Sequence, residues 1–291
     1  MPSLLCTLSL FIASACAASL TQVTDFGENP GNDEMYIYVP DTLAESPAVI
    51  LALHPCGGTG PAYYDMFDFH TPADQGGFIL IYPSAPHDNN CWDVATTESL
   101  THDGGSDSLS LVNMVNYTLT EYNGDASQVF VTGSSSGAMM TNVLAATYPD
   151  VFAAGSAFSG VPHGCLAGSP GSSPTTADPA CAAGQITKSG EEWAQMVADA
   201  YPGYTGTYPK LQIVHGEADT FVSYNNFGEA LKEWSTVFGL SETASNPDTP
   251  MTGYTEIVYG DGSQLVGLSA AGVGHFVMTD VNTVLSWFGL A

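Results

Sequence analysis

Arginine is absent from this chain and lysine occurs only at positions 188, 210 and 232, against 30 acidic residues, giving a formal charge of -27 over 291 residues. A polyanion is bound by cations that displace its counterions, so nucleic acid is excluded as a partner, and an anionic membrane surface would be repelled by the same field. Charged residues make up only 11% and hydrophobic ones 44%. That is too apolar for a disordered chain and too evenly mixed for a multi-span membrane protein. Beyond the N-terminus no apolar run approaches the roughly 18 residues of a bilayer span. Neither a G-x-G-x-x-G nor a Walker pattern is present, so no nucleotide and no other cofactor is expected. The alternation of His215, Glu217 and Asp219 is not a zinc spacing and no H-E-x-x-H occurs, so no metal is expected either. Asp103-Gly104-Gly105-Ser106-Asp107 lacks the length and closing Glu of a calcium loop and reads as a turn with a helix cap.

What is present begins with a leader. Residues 2–19 carry no charge and 4–13 are apolar enough for a signal-peptide core, while Ala15-Cys16-Ala17 offers small residues for cleavage. Residues 1–18 are therefore expected to leave as a signal peptide, making the protein secreted and extracellular. Four of the six cysteines then remain, and in a secreted chain they are expected to pair. Of the three connectivities, closeness in sequence favours Cys165–Cys181, leaving Cys56–Cys91. A glycosylation sequon, Asn116-Tyr117-Thr118, falls within a helical pattern.

From Met35 onward short β-rich runs alternate with longer helical patterns, which predicts an α/β fold with a mostly parallel sheet covered by helices on both faces. The predicted strands are 35–39, 48–53, 78–82, 129–132, 154–158, 211–214 and 254–259. The predicted helices are 108–122, 137–148, 191–200, 227–237 and 281–288. No repeat or linker divides the chain, so 19–291 reads as one domain with an insertion at about 161–190.

The segment Val129 to Gly137 carries the chemistry. A strand feeds Gly133-Ser134-Ser135-Ser136-Gly137 and a helix follows, a context that presents the central hydroxyl on a sharp turn with helix amides beside it. A serine needs a base and an orienting carboxylate. Asp219 lies past the strand 211–214, and His275 lies between small residues before the last helix; the order Ser, Asp, His is that of α/β-hydrolases. Ser135 is the expected nucleophile, His275 the base and Asp219 the orienter. Glu217 is the rival carboxylate and His215 the rival base, the latter more consistent with a hydrogen-bonded structural residue ending a buried strand. His54-Pro55-Cys56-Gly57-Gly58 follows an early strand, and the amides of Cys56 and Ser136 are the expected oxyanion donors. Trp92 is placed either to stack on a sugar or to pack under the Cys56–Cys91 bridge.

Leu53-His54-Pro55-Cys56-Gly57-Gly58, Ile81-Tyr82-Pro83, Cys91-Trp92-Asp93-Val94, Gly133 through Thr141, Tyr201-Pro202-Gly203-Tyr204 and Gly272-Val273-Gly274-His275 together resemble fungal secreted esterases of carbohydrate esterase family one. That family includes acetylxylan esterases and type-B feruloyl esterases and is related to polyhydroxybutyrate depolymerase-like esterases. The resemblance runs from about Ser19 to Leu290. It implies an α/β-hydrolase fold, the triad Ser135, Asp219 and His275, and a carboxylic-ester hydrolase acting on xylan or arabinoxylan esters, leaning to feruloyl with acetyl as the alternative. A polyester depolymerase and an inactive carbohydrate-binding protein on the same scaffold are further alternatives. The protein is expected to be a monomer without the carbohydrate-binding module that some relatives carry. His163 stands where the resemblance leads one to expect an apolar side chain; the loops 61–75 and 161–190 are expected to set the depth of the acyl pocket.

Overall fold

The computed structural model describes residues 18–277 and 280–291; the expected signal peptide falls, apart from Ala18, outside them. The elements in chain order are β1 (Thr21–Val23), β2 (Met35–Tyr38), β3 (Val49–Leu53), α1 (Gly60–Met66), α2 (His70–Gly76), β4 (Ile79–Ile81), α3 (Ser106–Tyr122), β5 (Val129–Ser134) and α4 (Ser136–Thr147), followed by β6 (Ala154–Phe158), α5 (Pro179–Ala182), α6 (Gly190–Ala200), β7 (Lys210–Gly216), α7 (Asn225–Phe238), β8 (Glu242–Pro247), β9 (Tyr254–Tyr259), β10 (Leu265–Ala270) and α8 (Val281–Phe288).

All strands join one sheet in the order β1-β2-β4-β3-β5-β6-β7-β10-β9-β8. From β4 to β10 neighbouring strands run parallel, while β1, β2, β9 and β8 pair antiparallel at the two edges. Alternation along each strand explains the layers, because successive side chains leave opposite faces. On β3, Val49, Leu51 and Leu53 enter a core with α3 and α4, and Ile50 and Ala52 enter the other with Tyr63, Ala73, Val284 and Phe288 from α1, α2 and α8. A third cluster seats α6 and α7 on β7 and β10 through Val197, Phe227, Leu231 and Trp234. With helices on both faces, β3, β4, β6 and β10 are buried at every residue.

The expected α/β architecture is present, with departures that have physical reasons. Strand β10 was not anticipated: Gly267 and Ser269 interrupt its apolar run, yet it sits in the sheet interior between β7 and β9. Helices α1 and α2 replace the expected loop 61–75. Pro61 occupies the first turn of α1, where a missing N–H costs nothing, and Thr59 caps it. Both disulfides form, Cys56–Cys91 and Cys165–Cys181. The second closes the loop that ends in α5, and that loop docks on α7 through Asn226 Nδ2, which donates to the Cys181 carbonyl at 3.0 Å. Among the described residues no helix is long and apolar enough to cross a membrane.

Candidate active site

Strand β5 delivers Ser135 and α4 begins at the next residue. Ser135 has φ 55° and ψ -117°, a strained conformation for a side-chain-bearing residue, held because its N–H donates to the Phe158 carbonyl at 2.8 Å. The flanking glycines are required by close approach. A Cβ on Gly133 would lie 2.5 Å from the Gly137 carbonyl carbon, and one on Gly137 would lie 2.2 Å from the Leu53 carbonyl oxygen. The pattern G-x-S-x-G is thus the steric condition for packing this turn against β3.

Asp219 and His275 reach Ser135 from the loops after β7 and β10, which lie beyond β6 in the sheet. Asp219 follows β7 and His275 follows β10, which lies parallel to β7. His275 Nε2 is 2.8 Å from Ser135 Oγ, and His275 Nδ1 is 2.7 Å from Asp219 Oδ2. The imidazole can therefore accept the serine proton on one nitrogen while its other N–H donates to a carboxylate. Asp219 Oδ1 accepts from the amides of Phe221 and Val222 at 2.8 and 2.9 Å. Burial alone would raise the Asp219 carboxyl, but the hydrogen bonds from His215, His275 and these two amides outweigh it and lower it to about 2. The loop bearing His275 is held by Ser159 Oγ, which donates to the His275 carbonyl at 2.9 Å, and by Ala218 N–H to the Val273 carbonyl at 2.9 Å. Sequence reasoning missed Ser159; its signal was a small polar residue directly past the carboxyl end of β6, the same position that Ser135 takes past β5.

The two rivals are elsewhere. Glu217 is exposed and accepts from Ser269 Oγ at 2.7 Å. His215 is buried with Nε2 3.0 Å from the Val222 carbonyl and 3.2 Å from Asp219 Oδ2. It braces the loop and the carboxylate rather than facing the serine.

The amides of Cys56 and Ser136 have no hydrogen-bond acceptor among the described residues, and Ser136 N–H is one of the four unsatisfied donors at the start of α4. Trp92 requires a correction. It is fully buried and cannot stack on a sugar. Its indole N–H donates to the His54 carbonyl at 2.8 Å, its backbone N–H donates to Ser136 Oγ at 2.9 Å, and its ring packs 4.7 Å from that of His54. Together with the adjacent Cys91–Cys56 bridge, Trp92 fastens the His54–Gly57 loop to the beginning of α4. His54 itself is neutral: burial pushes its imidazole down to about 4, Nδ1 lies 2.8 Å from the Pro55 carbonyl, and Nε2 accepts from Ala85 N–H at 3.2 Å.

A cavity of about 100 Å³ opens at the serine, lined by Pro55, Met66, Phe67, Ser134, Phe158 and Val277 among others. Phe276, which also lines it, and Phe221 are 76% and 71% exposed, each with its ring centroid 5.5 Å from that of His275. Met66 and Phe67 come from the expected loop 61–75, but no residue of 161–190 lines this cavity. His163 in particular is buried elsewhere, its N–H donating to Glu233 Oε2 at 3.1 Å, with burial lowering its imidazole to about 4. Asn116 is exposed on α3, and Thr118 of the same sequon is buried with its hydroxyl on the Met114 carbonyl.

A parallel sheet with a serine on a strained strand-to-helix turn, an acid after β7 and a histidine before the last helix defines the α/β-hydrolase class. The family profile of esterase PHB depolymerases matches residues 34–245, and the chain belongs to that family. It is 58% identical to feruloyl esterase B of Talaromyces stipitatus over 283 residues, covering 97% of this chain and 79% of the relative. It is 46% identical to acetylxylan esterase A of Aspergillus awamori, covering 94% of this chain and 90% of that one. The solved acetyl xylan esterase from Aspergillus awamori superposes with a TM-score of 0.88 at 46% identity, covering 94% of this chain and all of that one.

Proposed function

We propose that the protein is a secreted serine esterase that removes feruloyl side groups from xylan or arabinoxylan. The observation that carries this is the continuous relay from Ser135 through His275 to Asp219, at 2.8 and 2.7 Å, on the rim of an apolar cavity. Ser135 Oγ attacks the ester carbonyl as His275 takes its proton. The amides of Cys56 and Ser136 receive the oxyanion, and the imidazolium, stabilised by Asp219, returns the proton to the leaving sugar hydroxyl. Water then releases the acid by the same relay. No step in this sequence calls on a cofactor. Phe221 and Phe276, exposed against the His275 ring, offer aromatic faces to a phenolic acyl group. The net charge of -27 hastens departure of an anionic product and disfavours nucleic acid and anionic membranes as partners.

Acetyl is the second reading, favoured by the small cavity: about 100 Å³ lies well below the roughly 300 to 1,000 Å³ of sites that engulf drug-sized ligands. Secretion by loss of residues 1–18 and glycosylation at Asn116 belong to the same proposal, and the two disulfides support an oxidising compartment. Side-by-side kcat/KM on methyl ferulate and acetylated xylan separates the readings. A preference for ferulate that falls at least tenfold in Phe276→Ala, with the acetate rate held, supports feruloyl; a preference for acetate moves the assignment to acetylxylan. Fluorophosphonate labelling that persists in Ser135→Ala would remove the mechanism altogether.

A further inference from the structure

Asp33 and Asp107 are buried away from the serine and have no cationic partner from lysine or arginine; Glu233, the other such carboxylate, stands apart and accepts from His163 N–H. Arginine is absent, and the three lysines are engaged elsewhere: Lys188 over Trp193, Lys210 over Trp287 and Lys232 on Glu229. Asp33 is 3% exposed, and neither of its carboxylate oxygens has a hydrogen-bond partner among the described residues. Asp107 is fully buried; its Oδ2 accepts from Asp93 N–H at 2.7 Å, and its Oδ1 makes no hydrogen bond but faces His87 Nε2 at 3.2 Å. Removing two such charges from water costs several kcal/mol each unless something compensates them.

The fold gathers these groups from three places. Asp33 lies in the loop before β2, which is clamped by paired hydrogen bonds with Asn29 at 2.8 and 2.9 Å and by Gly31 N–H to Ser110 Oγ at 2.9 Å. His87 follows β4, and Asp107 is in the first turn of α3. One donor atom from each of the three lies within 4.8 Å of the others. His87 and Asp107 border an open cleft of about 350 Å³ that gives an ion a path from solvent. The neighbouring Asp93 is not free to join, since its carboxylate already accepts from Ala95, Thr96 and Ser106.

We propose that Asp33, His87 and Asp107 form a binding site for one divalent cation of the zinc class. Two carboxylates and an imidazole are a mixed oxygen and nitrogen set of the kind zinc accepts, whereas calcium takes oxygen ligands alone. Ligand atoms around tetrahedral zinc lie about 3.3 Å apart, close to the 3.2 Å between His87 Nε2 and Asp107 Oδ1. Water from the cleft takes the fourth position. The ion neutralises both buried carboxylates and ties the loop before β2 to the start of α3, so its role is structural. This departs from the expectation, drawn from spacing alone, that the chain binds no metal: the ligands are about 54 and 20 residues apart, and no local motif can report them.

The test uses untagged, full-length protein stripped with a chelator and titrated with Zn²⁺ at neutral pH by calorimetry, with Ca²⁺ in a parallel titration. Uptake of one equivalent of Zn²⁺, at least tenfold tighter than Ca²⁺, with a melting temperature that rises with free Zn²⁺, is the expected result. His87→Ala, altering a partly exposed loop residue, should weaken Zn²⁺ at least tenfold while esterase turnover stays unchanged, and Asp33→Asn should weaken it similarly. Absence of stoichiometric uptake, tighter binding of Ca²⁺, or an unchanged Zn²⁺ affinity in both variants would overturn the site. So would an Asp33→Asn protein that is more stable than a zinc-silent wild type, the sign that the two carboxyl groups share a proton.

Discussion

The serine side and the histidine side of the active site are built to different standards of attachment. On the serine side, the His54–Gly57 loop, the Cys91–Trp92 segment and the start of α4 are joined by a disulfide, two hydrogen bonds from Trp92 and the close approach of Gly137 to β3. On the histidine side, the loop after β10 depends on Ser159 Oγ, a backbone bond from Ala218 and the Asp219 contact itself. Donors that receive developing charge must not move, because reorganisation at the moment of reaction is what they save. The imidazole, which passes a proton in both directions, is steered by a few directional bonds.

The contrast predicts how each side fails. Asp219→Asn should lower kcat by about 10⁴-fold by allowing the wrong imidazole tautomer, with the fold retained; steady-state kinetics together with circular dichroism would check both halves of that statement. Trp92→Ala should act oppositely, costing about 3 to 5 kcal/mol of stability through the cavity and the lost indole hydrogen bond to the His54 carbonyl, measured by urea denaturation. If its stability were unchanged while kcat collapsed, the view of Trp92 as a fastening would fail. Ser159→Ala removes a hydrogen bond of roughly 1 kcal/mol and should lower kcat about fivefold with KM and melting temperature nearly constant.

Acid separates the two sides further. The imidazoles of His54, on the serine side, and of His163, away from the site, lie at about 4 in the fold, below the unfolded value of about 6.5. The unfolded chain therefore binds protons that the native chain refuses, and stability falls as pH drops from about 6.5 to 4. Asp219, held at about 2 against an unfolded value near 3.9, keeps its contribution above pH 4 and loses it only as pH falls on toward 2. Denaturation midpoints at pH 7, 5 and 3 should show the first loss flattened in His163→Phe and the second removed in Asp219→Asn.

Much of this was legible because local chemistry was strong. Val129 to Gly137 showed strand, turn and helix at once, and the cysteine spacing pointed to both bridges. Strand β10 was hidden because Gly267 and Ser269 replace the β-branched residues that mark a buried strand, and only its position between β7 and β9 makes it one. Trp92 and Ser159 could not be resolved from the sequence, since their partners His54, Ser136 and His275 are 38, 44 and 116 residues away.

The engagement of every lysine has a consequence for proteolysis. Proteases that cut after basic side chains need that side chain free and the backbone around it extended and accessible. Here they find no arginine and only three lysines: one opening β7, one on α7 and one beside α6, each occupied by an indole face or a carboxylate. Digestion by trypsin-like enzymes must therefore wait for the fold to open.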